Sequence, residues 1–356
     1  MSATFSSDLE AVETKILSAR LDHCIEREFG LGSRSANLAP MQDGHAGLTF
    51  GFDVVDAAGR RTGSYVLKLA PDRVTRRGNT DVYRQAPLLR GLKAAGMPVP
   101  AIAWASPDED DLGAPYLVMA RLPGRIFLVW DPDRSFSRDT QELRQMWLQA
   151  ARMLARLHTI DWQTALPNWE RPRPLIQELE IWTPLLRHAQ NPEWLAKGNE
   201  LHGVLVGAVV DERPIGVVHG DFQPGNILYV GARAQAVIDW ELSSIGSQGL
   251  DVGWLLMMSD PEAWEQTWRP IAPVSREDLI DAYREAGGPT LFDIDWYQAL
   301  AHFRLGAIAG LNVKLHRIGR RPDPFWERFA PSIATLFASG IELARRKHII
   351  AGGTCD

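Results

Sequence analysis

An α+β fold in two lobes, the first rich in strands and the second mainly helical, is what this sequence predicts. Three observations carry the prediction. The length, 356 residues, exceeds what one ordinary core fills. The composition, 45% hydrophobic with 23% charged residues, is that of a packed globular chain. The hydrophobic pattern changes from short β-type runs to helical spacing after Leu122-Pro123-Gly124.

The elements follow in order. Residues 8–30 read as an amphipathic helix, with Leu9, Val12, Ile16, Leu17 and Leu21 on one face and Gly30 as its stop. Strands are expected over 36–41, 48–55 and 64–69, separated by turns at Asp43-Gly44 and Ala58-Gly59. A helix over 80–95 ends at Gly96 and Pro98-Val99-Pro100, and strands follow over 101–105 and 116–121. These make a first lobe of residues 1–121. In the second lobe, 122–356, helical spacing is strongest over 138–159, through Leu143, Met146, Trp147, Ala150, Leu154 and Leu157. Helices are also expected over 176–188, 193–210, 250–258, 276–286, 296–315 and 324–347, with a β-rich island at 217–239. Ser275 with Asp278 three residues on resembles a capping box.

Composition narrows the function. A formal charge of −6 argues against nucleic-acid binding and means that any phosphate site is built locally. The two cysteines, Cys24 and Cys355, form no disulfide framework, so a reducing cytoplasm is the expected compartment. Asp8, Glu10 and Glu13 leave no apolar signal region. The most apolar stretch, 300–313, is interrupted by His302 and Arg304 and is too short to span a bilayer. No membrane partner is expected, and a monomer or homodimer would suit the chain. The 13 tryptophans are read as core packing in the helical lobe.

The chemistry is concentrated in Val217-Val218-His219-Gly220-Asp221-Phe222-Gln223-Pro224-Gly225-Asn226-Ile227-Leu228-Tyr229, followed by Ala236-Val237-Ile238-Asp239-Trp240-Glu241. β-type runs enter and leave the polar residues, so Asp221, Asn226 and Asp239 fall on loop tips. Phosphoryl transfer asks for metal-held phosphates, an in-line hydroxyl and a carboxylate to position that hydroxyl and take its proton. Mg²⁺ takes oxygen ligands and keeps substrate phosphates in its shell. On this reading Asp221 is the base, Asn226 gives an amide oxygen to the metal, and Asp239 bridges metal and phosphates. His219 supports the loop by hydrogen bonding. A polar β-turn with helix-capping acids is the plain alternative, and the full string is more specific than that.

This string resembles the aminoglycoside phosphotransferase and choline kinase superfamily, over roughly residues 35–345. The resemblance implies a bilobal protein-kinase-like fold, and ATP or GTP with Mg²⁺ as cofactors. Gly220 and Trp240-Glu241 stand where protein kinases have Arg and Phe-Gly, and no Ala-Pro-Glu follows, which points away from a protein kinase. By the same resemblance Asp43-Gly44-His45-Ala46-Gly47 covers the nucleotide phosphates, with Gly44, His45 and Ala46 as contacts. Lys68 would reach the phosphates, and the backbone of Met119, Ala120, Arg121 and Leu122 would hold the adenine. The glutamate expected to pair with Lys68 is replaced by Gln85, leaving Gln85 itself or Asp81 as substitutes. Asp251 in Leu250-Asp251-Val252-Gly253-Trp254, and His158, are read as structural.

Pro98-Val99-Pro100, Gly124-Arg125-Ile126-Phe127 and His158-x-x-Asp161-Trp162 resemble the branch fused to acyl-CoA dehydrogenases. That likeness implies a small-molecule hydroxyl acceptor of metabolic, hydroxyacyl-CoA type before an aminoglycoside. Trp182 and Glu241 are candidate acceptor contacts. A choline- or ethanolamine-type kinase with Trp182, Trp240 and Glu241 as its cage, and a nucleotide-binding scaffold without turnover, are the alternatives. A metal hydrolase ranks last, because the nine histidines show no ligand spacing.

Overall fold

The computed structural model describes residues 2–41, 48–71 and 78–351. The chain divides into two compact units: residues 1–123 with 236–242, and residues 124–235 with 243–356. The short segment 236–242, assigned from sequence to the second lobe, therefore packs with the first.

The first unit opens with helix α1 (Ser2–Phe29). Strands β1 (Arg34–Pro40), β2 (Leu48–Val55) and β3 (Arg61–Leu69) follow, then helix α2 (Gln85–Ala94) and strands β4 (Ile102–Ser106) and β5 (Tyr116–Ala120). They form one five-stranded sheet in the order β1-β2-β3-β5-β4, with every pair antiparallel. Leu21, Cys24 and Ile25 of α1 pack on Phe52, Val54, Leu67, Leu69, Tyr116 and Val118 of one sheet face. Each such fully buried aliphatic side chain contributes roughly 1.5–3 kcal/mol. The expected face of this helix holds at Leu21, but Ile16 is largely exposed. On the other face Leu117 packs with Val82 and Ala86. Lys68 is paired in register with Leu117 and so points away from α1.

Helix α2 begins later than its sequence suggested. Residues 78–80 form a 3₁₀ turn, and Asp81 accepts a hydrogen bond from the Arg84 N–H (3.3 Å). The reason is Pro87: it lacks an N–H and is tolerated only in a first helical turn, which places the start at Gln85.

The second unit begins with β6 (Arg125–Ile126), α3 (Thr140–His158), α4 (Trp162–Ala165), α5 (Leu175–Leu186) and α6 (Pro192–Gly207). Strands β7 (Ile215–Val218), β8 (Ile227–Val230), β9 (Arg233–Val237) and β10 (Ser244–Ser247) follow, then α7 (Gly249–Ser259), α8 (Arg276–Glu285), α9 (Ile294–Arg317), α10 (Phe325–Phe329) and α11 (Ser332–Ala351). Asp139 caps α3 by accepting from the Glu142 N–H (2.9 Å). The α3 residues singled out by spacing, Leu143, Met146, Trp147, Ala150, Leu154 and Leu157, are all buried. Both hydrogen bonds of the Ser275–Asp278 capping box are made. Helix α7 is buried along its whole length. A Cβ on Gly253 would overlap the backbone of Tyr297, so glycine is what lets α7 and α9 come this close.

Two small ladders frame the chemistry-bearing loop. β7 pairs antiparallel with β10, Val218 opposite Ser244, while β8 lies between β6 and β9. The strand at Ser244-Ile245-Gly246-Ser247 was not foreseen, because small residues give it no β-type pattern. Among the described residues no helix is long and apolar enough to cross a membrane.

Candidate active site

In the second unit the polar loop leaves β7 at Val218 and turns through Gly220, whose φ of +86° lies in the left-handed region that suits glycine. A 3₁₀ turn, Pro224–Asn226, then hands the chain to β8. Asp221 is half-buried. Its Oδ1 accepts from Gln223 Nε2 (2.9 Å) and its Oδ2 from Asn226 Nδ2 (2.9 Å). Asn226 Nδ2 also donates to the Asp221 carbonyl (2.8 Å), which fixes the amide and leaves its oxygen as the group to offer a cation.

Beneath this loop is a buried polar network. The Asp251 carboxylate at the start of α7 accepts from two successive backbone N–H groups, His219 (2.7 Å) and Gly220 (2.8 Å). His158 at the end of α3 places Nε2 3.4 Å from Asp251 and Nδ1 2.8 Å from the Tyr283 hydroxyl of α8. Asp251 and His219 are fully buried. Burial alone would raise the Asp251 pKa, but the His158 bond and charge and the His219 N–H hold it below the ordinary carboxylate value. His219 Nδ1 lies 3.2 Å from the Asp221 N–H, so the histidine braces the loop from inside.

In the first unit Lys68 Nζ donates to Asp239 Oδ1 at 3.0 Å, with side-chain exposures of only 15% and 26%. Burial acts to lower the Lys68 pKa, yet the charges of Asp239 and Glu241 and the Asp239 hydrogen bond together hold it above the ordinary lysine value. Asp239 has a φ of +64°, left-handed backbone in a residue other than glycine. Such strain persists where the surroundings over-determine it, often at a working site.

The oxygens that Asn226 and Asp239 each offer are of the kind that Mg²⁺, a hard cation, takes. Among the described residues no three His, Cys, Asp or Glu side chains converge as a metal cage.

A model of the phosphotransferase enzyme family matches residues 47–300, well over half of the chain. The chain belongs to this family. Acyl-CoA dehydrogenase family member 11 of Gallus gallus is 26% identical over 302 residues, covering 80% of this chain. The chain spans only 38% of that relative's length. Among solved structures, a Ralstonia eutropha protein assigned to the aminoglycoside phosphotransferases superimposes with a TM-score of 0.72 at 20% identity, covering 92% of this chain and 98% of its own. A choline/ethanolamine kinase family protein from Mesorhizobium loti gives 0.56 at 16% identity, covering 94% and 99%. The fold is thus the bilobal kinase-like α+β fold that the motifs implied.

Within this phosphotransferase the foreseen residues fall into separate groups. Asp221 and Asn226 are in mutual contact, and Lys68 and Asp239 are in mutual contact. Gly44, His45 and Ala46 lie outside the described residues. In the stretch Met119–Leu122 two backbone donors are occupied: Ala120 N–H is bonded to Ala101 O (2.9 Å) and Arg121 N–H to Ser64 O (2.9 Å). Sheet pairing has consumed both donors, so neither can serve an adenine. Leu122, just past β5, carries the next backbone N–H. Gln85 is buried on α2, and the carboxylate found against Lys68 is that of Asp239. Glu241 acts on Lys68 through its charge, and its carbonyl accepts from Arg84 (3.2 Å). Trp182 belongs to a different group, donating to Glu178 (3.2 Å) with the Arg304 guanidinium 4.4 Å above its ring.

Sequence reasoning undervalued Asp251, which holds the loop directly, and passed over Arg304. The signal for Arg304 was present: an arginine in the middle of an apolar helical run, which helices seldom bury without a use.

Proposed function

We propose that this phosphotransferase is an ATP- and Mg²⁺-dependent kinase acting on a small-molecule alcohol. The observation that carries the reading is the Asp221 carboxylate, held by Gln223 and Asn226 on a loop whose backbone Asp251 fixes from below. Asp221 accepts the hydroxyl proton as the alcohol oxygen bonds to the γ-phosphorus. The bond from that phosphorus to the β,γ-bridging oxygen breaks, and ADP leaves with a phosphate monoester as the second product. Lys68 and Asp239 would serve the nucleotide, the ammonium meeting phosphate oxygens, and Asp239 and Asn226 are the residues that would each offer an oxygen to Mg²⁺. The metal, when bound, neutralises charge on the phosphates. Because Lys68 is protonated and buried, its charge is little screened by water.

The likeness to acyl-CoA dehydrogenase family member 11 favours a metabolic alcohol over an antibiotic. A choline-type cage gains no support from Trp182, whose ring already faces a guanidinium at 4.4 Å. A thermal-shift titration tests the reading. ATP with Mg²⁺ should raise the melting temperature by mass action, ATP without Mg²⁺ should raise it less, and Asp239→Ala should erase the difference. A flat response at millimolar nucleotide would sink the proposal.

A further inference from the structure

Arg304 is a buried charge that the proposed chemistry does not use. It lies on α9 with 5% of its surface exposed. Its guanidinium is stacked between two indoles, 4.4 Å from the Trp182 ring of α5 and 4.7 Å from the Trp254 ring of α7. Its Nε and Nη2 are buried and make no hydrogen bond, and neither does Trp254 Nε1. A buried unsatisfied donor is costly, more so when charged, and three in one place call for an explanation.

Neighbouring carboxylates do not supply it. Glu178, Asp221 and Asp251 are the acids whose charge reaches Arg304, and Arg173 opposes them. Glu178 is taken by Arg173 (2.7 Å) and Trp182 (3.2 Å). Asp251 is taken by the loop N–H groups and His158, and Asp221 by Gln223 and Asn226. What remains is the side-on edge of the guanidinium, Nε–H beside Nη2–H, the fork that matches two oxygens of a carboxylate or phosphate. The indoles keep this planar group dry, which strengthens a charge-assisted pair.

We propose that Arg304 is a specificity residue of the acceptor site, gripping an oxyanion, carboxylate or phosphate, on the same molecule whose hydroxyl Asp221 receives. This rests on the reading of Asp221 as the acceptor base. The fork is buried, and of the two indoles Trp182 is half-exposed while Trp254 is buried.

The test compares hydroxyhexanoate, its neutral amide and hexanediol monophosphate on the full chain, as phosphoryl acceptors and by calorimetric titration without nucleotide. At least one of the two anions should bind about ten- to a hundredfold better than the amide, the span expected of a charge-assisted hydrogen-bonded contact. Which anion wins separates carboxylate from phosphate. Binding should change indole emission in the wild type and less in Trp182→Phe. Arg304→Gln should abolish the discrimination and Arg304→Lys restore part of it, while the MgATP thermal shift persists. Equal binding of acid and amide, retained discrimination in Arg304→Gln, or no binding by either anion would overturn the inference. The acid-against-amide comparison needs no variant, so it stands even if Arg304→Gln does not fold. Failure of the kinase reading shows separately, as a missing MgATP shift beside intact anion binding.

Discussion

Around Asp221 the loop is tied by an inner network: two backbone N–H groups on one buried carboxylate, a histidine behind it, and a tyrosine behind that. Around Asp239 the Lys68 ion pair is a quarter exposed on the acid side, on backbone held in a left-handed turn. The first arrangement has no freedom to lose. The second would have to exchange partners on the proposed reading, because an ammonium that meets phosphates shares or leaves its carboxylate. The contrast is between a loop fixed by buried hydrogen bonds and a charge pair that stays partly open to solvent.

Substitutions on each side put that contrast to the test. Asp221→Asn keeps the shape and removes the base; turnover should fall by roughly a hundred- to ten-thousandfold, with the MgATP thermal shift unchanged. Wild-type turnover in that variant would end the assignment. Asp251→Asn should lower stability by about 2–4 kcal/mol, since it disturbs buried, charge-assisted bonds. Turnover should fall with it while nucleotide affinity holds, which urea unfolding and a steady-state kcat and KM would show together. Asp239→Ala leaves the fold nearly as stable but should weaken MgATP binding about ten- to a hundredfold. It should also lower the Lys68 pKa, readable by the pH dependence of amine labelling.

Acidification acts on the helical unit. His302 on α9 is fully buried, and burial pushes its pKa below the ordinary histidine value despite its bond to the Gln298 carbonyl (2.7 Å). The unfolded chain therefore binds this proton before the native one does. Stability should fall as pH drops through about 6.5, by up to about 1.4 kcal/mol per pH unit for this group, and the slope should vanish in His302→Gln. The smallest effect is expected of Gln85→Glu. Lys68 already has Asp239, so KM for ATP should move only a few-fold; a large gain would mean that Asp239 is a substitute for the glutamate and not the native partner.

Much of this was legible in the chain. His219-Gly220-Asp221 through Asn226 fixed the loop, because turn residues between β-type runs can do little else. The α3 face followed from spacing, since a buried helix face must be apolar. Less legible were pairings made at a distance. Nothing near Lys68 in sequence marks Asp239 as its partner, and Arg304 differs from a solvated arginine only through two tryptophans on other helices. The strand at 244–247 was hidden because small residues pair by backbone alone.

The return of residues 236–242 to the first unit has a consequence for how the protein is made. Lys68 and Asp239 are 171 positions apart, so at typical rates the ribosome spends on the order of ten to thirty seconds between them. Throughout that interval the nascent sheet carries a lysine with no counter-ion from Asp239. The first unit is expected to stay open at that edge until the polypeptide has threaded back, and arresting synthesis before and after residue 242 while following protease resistance of the emerged sheet would show it.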